Sequence, residues 1–551
     1  MPHPIYWEQM LWVMLLLLSV PVLAQPSCPA TPAWSPCDLV FDLEASEKPD
    51  AVQLRAEFRS PHHRTYLMHA FRDGDRRFII RFSPTEAGSW EYRLTSNISR
   101  LDGKIGQFNA VDSDSPGFVH VANVHHFQTE NKQPHLWMAT GVEKFLSMPR
   151  AEFDALVAAR AKEKFSHLRV MLEAGADLRE AAERIRGINS RGLTADVMFA
   201  SIPDDWKERE RYITDVAARF AAFNITWAGF PQYESVPHGR AILKDAGALI
   251  KKLDPYQHPR TSMAEVTSAA LASDGWMDVL GYGTTDANIG GVEHQFFQSP
   301  ALAAGIRNTH DLWNATMNGQ YPADGSGEYM TVWRDFMAGN RYWELEPFFG
   351  VDGARGLALD GVEYIIYVEK PGPIEVTLER HGYDVVWMNP ANGERVKQKE
   401  YRGERFTGEP PDRLHDWVLH ISREGEKNGM LKSYKFESRV VPVQEITLSG
   451  EKPVFDIPEP EENEISMLKP PHFSLKIRKD TRATRYLWVE WTAEIAADGE
   501  GYRVLGTGKE GTLKVPVSIV RNFPAVLSLH ANIVNANGKA YSVDRIFRLV
   551  P

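Results

Sequence analysis

The stretch RYITDVAARFAAFNITWAGFPQYE, residues 211–234, decides the fold prediction. Apolar residues recur at helical spacing as far as Phe220, and β-branched and aromatic residues follow at 225–227. This pattern predicts a helix that leads into a short buried strand with polar groups at the strand's carboxyl end. In a (β/α)8 barrel the carboxyl ends of the strands form the active face, so we look for chemistry there.

Strand and helix signals alternate on both sides of this stretch, from about residue 123 to 349, which predicts a TIM-type (β/α)8 barrel. Helix Tyr329–Asn340 and an apolar run at 341–349 leave the eighth unit open: the run either closes the barrel or leaves it. The predicted strands lie at 135–140, 167–172, 193–200, 225–230, 258–265, 277–283 and 300–306, and the other predicted helices at 150–165, 177–191, 206–223 and 240–253.

β-Sandwiches are predicted on both sides of the barrel, because short alternating runs broken by turns replace the helical spacing. The fold class is therefore a multidomain α/β plus β chain. Its expected parts are a signal peptide at 1–24, an N-terminal β-sandwich at 38–122, the barrel at 123–349, a β-sandwich at 350–439, a Pro/Glu-rich linker at 440–472 and an Ig-like β-sandwich at 473–551.

Two motifs carry a resemblance to a known family. The run from Arg211 to Trp227 resembles the "RY-x-x-x-x-AARFAA-x-N-x-x-W" pattern of the apiosidase-like glycoside hydrolases of secreted bacterial proteins. Arg81-Phe82, Pro84 and Gly88-x-Trp90 are similar to the hallmark of the sandwich that precedes the barrel in that family. The resemblance covers about residues 38–440 and implies a glycoside hydrolase fold with the same domain order.

The resemblance also implies two catalytic carboxylates, from strands four and seven, and both positions depart from it. The strand-four acid is expected at Gln232, and the strand-seven acid at Ala304 or Gly305. A glutamine cannot exchange a proton near neutral pH, although it can hydrogen-bond a sugar hydroxyl. Either hydrolysis has been lost, or the acids have moved along the strand ends.

Acids that follow predicted strands are the candidates for moved carboxylates. Glu234 lies two residues past Gln232, on the same side of an extended strand. Glu265 and Asp286 follow strands five and six, and we take these three as the candidate catalytic residues. Each of them is also a plausible solvated loop acid. The candidate substrate-binding residues are polar or aromatic and lie near predicted strand ends: Gln232, Tyr233, Trp137, Glu173, Tyr282 and Trp313. For the aromatic residues among them, packing in the core is the alternative role.

Composition and cysteines limit the partners and the compartment. The formal charge is −11 and no basic block occurs, which argues against nucleic acid and favours an uncharged carbohydrate. An apolar run at 11–18 before Ala24 predicts a cleaved signal peptide and a secreted or periplasmic protein, and we expect no membrane span. In that compartment Cys28 and Cys37 are predicted to form a disulfide, although a lipid anchor at Cys28 is the alternative. We expect no metal and no cofactor, since no motif for either occurs.

Two functions therefore remain. The first is a secreted glycoside hydrolase that acts on polysaccharide or oligosaccharide bonds by carboxylate acid/base chemistry. The second is a non-catalytic carbohydrate-binding or scaffold protein on a degenerate barrel. Two carboxyl groups within ~10 Å of each other across the active face would favour the enzyme.

Overall fold

The computed structural model describes residues 28, 30–284, 286–423, 455–477, 487–495, 502–512 and 523–551. The chain divides into two compact units, residues 1–113 and 114–551, and each is described by itself. The predicted signal peptide lies outside the described residues. Within the described ranges, none of the helices has the length and apolar character that crossing a bilayer requires.

The first unit consists of two β-sheets around an aromatic core. Its strands are β1 (Thr31–Pro32), β2 (Cys37–Asp42), β3 (Leu54–Arg59), β4 (Thr65–His69), β5 (Phe71–Arg72), β6 (Arg77–Phe82), β7 (Gly88–Ser96) and β8 (Ile105–Val111). One sheet has the order β1-β8-β7-β3-β4 and the other β2-β6-β5. Phe58 of β3 stacks on Phe82 of β6, with ring centroids 4.0 Å apart, so the core joins the two sheets. Cys28 and Cys37 form a disulfide.

The second unit begins with a hairpin of β9 (Val119–Ala122) and β10 (His126–Thr129). The sequence analysis assigned residues 118–121 to the first sandwich. The break between the two units falls at residue 113 instead, because β9 pairs with β10 and belongs to the second unit.

Eight short strands follow, each continued by a helical segment. They are β11 (Ala139–Val142), β12 (His167–Leu172), β13 (Thr194–Phe199), β14 (Ile225–Ala228), β15 (Arg260–Thr261), β16 (Leu280–Tyr282), β17 (Ala301–Ala303) and β18 (Gln320–Pro322). β11 to β15 form one parallel sheet in that order, and β16 to β18 form another. Every residue of β13 and β14 is buried, as expected for parallel strands that are covered on both faces.

Helices connect these strands. They are α1 (Arg150–Lys162), α2 (Leu178–Asn189), α3 (Trp206–Phe220), α4 (Gly239–Leu253), α5 (Ile289–Glu293), α6 (Thr309–Met317) and α7 (Glu328–Ala338). Helices α1 to α4 and α7 lie at nearly the predicted positions, whereas α5 and α6 were not predicted. Asp177 and Asp205 accept hydrogen bonds from the first backbone N–H groups of α2 and α3, which fixes where these two helices begin. The chain after β15 forms a 3-10 helix, Ser268–Asp274.

The eighth strand is the main correction to the predicted elements. The sequence analysis missed β18, because three residues that include a proline give no periodic signal. The apolar run at 341–349 leaves the parallel strands: it forms a 3-10 turn, Tyr342–Glu344, and β19 (Glu346–Phe348), which pairs with the next sheet.

The region from residue 346 to 423 forms an antiparallel structure with its own core. After β19 come β20 (Val351–Asp352), β21 (Arg355–Leu359), β22 (Glu363–Val368), β23 (Ile374–Met388), β24 (Arg395–Lys397), β25 (Tyr401–Gly408) and β26 (Trp417–Ser422). The order is β19-β21-β22-β26-β23-β20, with β24 and β25 also paired to β23. Its core is built around Tyr364, Trp387 and Leu419.

The last region forms two further sheets, β27-β29-β32 and β28-β34-β33-β30-β31. Their strands are β27 (Phe455–Glu459), β28 (Glu464–Ser466), β29 (His472–Ile477), β30 (Leu487–Ile495), β31 (Tyr502–Thr507), β32 (Glu510–Thr512), β33 (Ala525–Asn535) and β34 (Ala540–Val550). Part of the predicted linker at 440–472 therefore belongs to this sandwich. Phe455, Ile457 and Ile465 lie in its core, although proline and glutamate dominate the composition around them.

The last sandwich packs against α5 and β16. Trp488 contacts the ring of Phe349, with centroids 5.5 Å apart, and the guanidinium of Arg355 lies 4.6 Å from the Trp488 centroid. Val504 of β31 packs on the cluster that contains Leu280 and Tyr282 of β16. This contact brings β31 close to the carboxyl ends of the parallel strands.

Candidate functional site

The carboxyl ends of the parallel strands bring most of the predicted polar residues to one edge. Glu173 follows β12, Glu234 follows β14, Glu265 follows β15 and Asp286 follows β16. β15 and β16 are linked by hydrogen bonds from the backbone N–H groups of residues 278 and 279 to the carbonyl of residue 260, at 2.8 and 3.1 Å. The two parallel sheets therefore present their acids on neighbouring loops.

A tight turn after β14 sets the position of Glu234. Gln232 has a left-handed backbone (φ 53°) and donates its N–H to the carbonyl of Met263, at 2.9 Å. The 3-10 turn Tyr233–Ser235 follows, in which Tyr233 is buried and Gln232 is exposed. The turn thus places Gln232 on the surface and directs Glu234 toward the loop after β15.

Glu234 and Glu265 form the one pair of candidate acids that the structure brings together. Both carboxylate oxygens of Glu234 accept from the backbone N–H of Glu265, at 3.2 Å. Standard bond lengths limit how far each of the two carboxyl carbons can lie from this shared nitrogen. The distance between the two carboxyl carbons is therefore at most about 9 Å. Paired carboxylates of glycoside hydrolases are up to ~9.5 Å apart. This upper limit allows the separations found in glycoside hydrolases.

The surroundings of Glu234 favour its protonated form. Burial raises the pKa of Glu234, and the nearby charge of Glu265 raises it further. Backbone N–H groups and the charge of Arg503, on β31, oppose this rise in pKa without cancelling it. A partly buried carboxyl group with a raised pKa is what general acid catalysis needs near neutral pH.

Asp286 is held by the last sandwich. Its Oδ2 accepts from the hydroxyl of Thr507, at 2.7 Å, and its Oδ1 accepts from the N–H of Asn288, at 2.8 Å. It also lines a cleft of about 240 Å³ together with Asp311 and Glu369. Asp286 therefore belongs to the junction between the domains, and it is not paired with Glu234.

The same cleft reaches the end of β17, where the resemblance implies the second acid. Ala304 and Gly305 line it and provide no carboxylate. Asp324, which follows β18, holds the backbone there: its Oδ1 accepts from the N–H of Gly305 at 2.7 Å and from that of Ile306 at 3.2 Å. Sequence reasoning missed Asp324 because it missed β18.

The predicted aromatic residues lie mostly in the interior. Trp137, Tyr282 and Trp313 are 1%, 1% and 0% exposed, and Tyr233 is 6% exposed. Trp137 precedes β11 and stacks on His167 at 3.6 Å, on the amino-terminal side of the strands. These rings have no open face for a sugar, so we leave them out of the site. Glu173, by contrast, is exposed at the edge.

Comparisons with known proteins agree with this architecture. Residues 30–97 match DUF5060, a domain of unknown function. The fold is similar to that of a Bacteroides vulgatus ATCC 8482 protein provisionally described as a glycoside hydrolase, with a TM-score of 0.61 and 15% identity over 72% of this chain and 99% of that one. It is also similar to a family 5 glycoside hydrolase of the same organism, with a TM-score of 0.50 and 15% identity over 59% and 98% of the two chains.

No curated protein matches the chain. The structural neighbours define the class of fold: a mixed α/β protein with several sheets and a glycoside hydrolase-like architecture. At this level of identity the likeness concerns the fold alone.

Proposed function

We propose that this protein is a glycoside hydrolase in which Glu234 is the general acid and Glu265 the second carboxylate. The observation that carries the proposal is the partly buried Glu234 carboxylate, held 3.2 Å from the Glu265 backbone at the carboxyl ends of β14 and β15. A carboxyl group with a raised pKa beside an exposed carboxylate is suited to protonate a leaving-group oxygen while the second group stabilises the developing positive charge.

The proposal includes a closed barrel, in which the sheets β11–β15 and β16–β18 join edge to edge. Eight successive parallel strands, each followed by a helical segment, support this closure. It also includes export with cleavage after Ala24, which the apolar run at 11–18 supports. Mass spectrometry of the mature protein tests the cleavage.

The substrate is proposed to be an uncharged polysaccharide or oligosaccharide. The net charge of −11 and the acidic edge argue against polyanionic glycans. The resemblance of residues 211–227 to apiosidase-like hydrolases gives the first substrates to try, namely apiose-containing glycans, within a panel of plant and bacterial polysaccharides.

The test is the variant Glu234→Gln. General acid catalysis contributes roughly 10²–10⁴-fold, so kcat/KM on a substrate with a poor leaving group should fall by about that factor. On an activated aryl glycoside the loss should be much smaller, because that leaving group needs no proton. Glu152→Gln on the exposed face of α1 is the matched control and should leave both rates unchanged.

A second candidate function is carbohydrate binding without hydrolysis. Two observations favour it: Gln232 occupies the position where the resemblance implies the acid, and Asp286 is bound by Thr507 of the last sandwich. If Gln232→Glu creates activity while Glu234→Gln changes nothing, the acid was lost and the binding function is correct. Glycan binding without turnover by the unaltered protein would lead to the same conclusion.

A further inference from the structure

A buried cluster of histidines and one carboxylate lies away from the candidate acids. His125 comes from the turn between β9 and β10, His294 follows α5, and Glu346 begins β19. His294 lies against Gly319, immediately before β18.

The donor atoms of these three side chains converge. His125 Nδ1 is 3.2 Å and His294 Nε2 is 2.9 Å from the same oxygen, Oε2 of Glu346. The rings of His125 and His294 have centroids 3.8 Å apart. All three donor atoms lie within 4.8 Å of one another.

The buried ring nitrogen of His294 points to a ligand that is shared by the cluster. The side chain of His294 is 4% exposed, and Nε2 makes no hydrogen bond although Glu346 Oε2 is 2.9 Å away. Nε2 of His126, whose side chain is also 4% exposed, makes no hydrogen bond either and lies 3.6 Å from Glu346 Oε1. A buried ring nitrogen that lies near a carboxylate oxygen without a hydrogen bond to it is expected where both atoms are ligands of the same bound ion.

The outer nitrogens of two of these histidines have partners of their own. His125 Nε2 is 3.0 Å from the carbonyl of Phe297, to which it donates, and His125 Nδ1 makes a hydrogen bond to Glu346 that a bound ion would replace. His126 Nδ1 is 2.7 Å from the hydroxyl of Tyr321. Histidines that bind metals nearly always donate their second ring N–H to a carbonyl, carboxylate or water, which fixes the tautomer. Among the proposed ligands His125 follows this pattern, whereas Nδ1 of His294 lies 3.3 Å from the amide nitrogen of Gln295.

We propose that His125, His294 and Glu346 bind a zinc ion. Zinc bonds of about 2.1 Å to nitrogen and oxygen place neighbouring donors of a tetrahedron about 3.4 Å apart. The separations of 3.2 and 2.9 Å from the Glu346 oxygen are close to this value, and the donor atoms all lie within 4.8 Å of one another, so binding needs a small rearrangement of the side chains. Two imidazoles and a carboxylate form a donor set that zinc accepts readily.

The surroundings supply the remaining features of such a site. The side chain of Glu346 is 36% exposed, so an ion and a water molecule in the fourth position can enter from this side. His126 faces the second oxygen of Glu346, 3.6 Å away. The ion would link the β9–β10 hairpin, the end of α5 and the first strand of the following sheet.

The experiment uses the full mature chain, treated with a chelator and dialysed. Titration with Zn²⁺ should show one bound ion per chain with micromolar or tighter affinity. Co²⁺ should give the intense visible absorption of a four-coordinate site. His294→Gln and Glu346→Gln should each weaken zinc binding at least tenfold, since even outer partners of metal ligands contribute 10–100-fold.

His120→Gln is the matched control. His120 lies on the same hairpin and pairs with Glu130 at 2.6 Å, outside the cluster, so this variant should bind zinc as the unaltered protein does. If His294→Gln fails to fold, His294→Cys still decides the question, because a cysteine ligand adds a thiolate-to-cobalt band in the near ultraviolet.

Three results would overturn the proposal. The first is the absence of micromolar zinc binding in the unaltered protein. The second is unchanged zinc binding in folded His294→Gln and Glu346→Gln variants, which would place the ion elsewhere. The third is the weak absorption of a six-coordinate Co²⁺ site, or a His294→Cys variant that binds Co²⁺ without a thiolate band.

Discussion

Replacement of Glu490 by glutamine should stabilise the last sandwich at neutral pH. Glu490 of β30 and Glu293 of α5 are 0% and 1% exposed where the two elements pack together. Thr267 donates to Glu293 Oε2 at 2.6 Å, and Asn532 donates to Glu490 Oε2 at 3.2 Å. Burial raises the pKa of Glu490 well above its ordinary value, and the charge of Glu293 raises it further. The raised pKa shifts this pair toward its protonated form.

Holding this proton costs stability as the pH rises. In the unfolded chain the carboxyl group titrates near 4.5, and in the folded chain its pKa is well above that. A group whose pKa is higher in the folded than in the unfolded state contributes its full stabilisation of the fold below the unfolded pKa. As the pH rises from the unfolded pKa to the folded pKa, this contribution falls by about 1.4 kcal/mol per pH unit. Between pH 4.5 and pH 7 the loss amounts to about 3 kcal/mol at most.

Glu490→Gln removes this dependence, because the amide donates to Glu293 without taking up a proton. At pH 5 the variant and the unaltered protein should differ little, and at pH 7 the variant should be more stable by up to about 3 kcal/mol. Hydrogen exchange of the amides at 487–495, measured at both pH values, gives the free energy of local opening. Glu494→Gln on the exposed face of β30 is the control. A pH-independent difference between Glu490→Gln and the unaltered protein would refute the reasoning.

Three further outcomes are expected. Asp196→Ala should lower the free energy of unfolding by about 3–5 kcal/mol in urea titrations, since it leaves His167, 2.6 Å away and buried, without its carboxylate. The pKa of Asp196 is lowered because the charge and hydrogen bond of His167 outweigh burial, so its contribution should be lost as the pH falls below 3.8. Trp491→Ala should destabilise the last sandwich by about 3–5 kcal/mol in thermal unfolding. Thiol titration of denatured, unreduced protein should find no free thiol at Cys28 or Cys37, and reduction should destabilise the first unit by roughly 2–3 kcal/mol.

The fold was readable from the sequence where the pattern was long and regular. Helices α1 to α4 begin within one residue of their predicted starts, because each joins a periodic apolar face to a polar or proline-containing start. The strand predicted at 167–172 coincides with β12. Shorter strands such as β15 and β18 hold two or three residues, which is too few for any period to be visible.

The candidate site was only partly readable, for a different reason. Glu234 and Glu265 were predicted because each follows a strand, and their contact depends on the left-handed turn at Gln232, which no pattern indicates. Asp324 was missed together with its strand. The zinc ligands come from three segments far apart in the chain, so no spacing in the sequence could reveal them.

Among the described glutamates, Glu234 and Glu490 have a raised pKa, and their access to solvent decides which of the two can act on a substrate. Glu490 is fully buried between α5 and the last sandwich, where no glycosidic oxygen can reach it. Glu234 is partly exposed and lies beside the exposed Glu265, at the edge where parallel α/β proteins place their active sites. A raised pKa occurs in structural carboxyl pairs as well as in functional acids, so it does not distinguish the two by itself. Of these two glutamates, Glu234 alone combines a raised pKa with access to solvent and a second carboxylate nearby. We therefore expect the proposed hydrolysis to depend on Glu234.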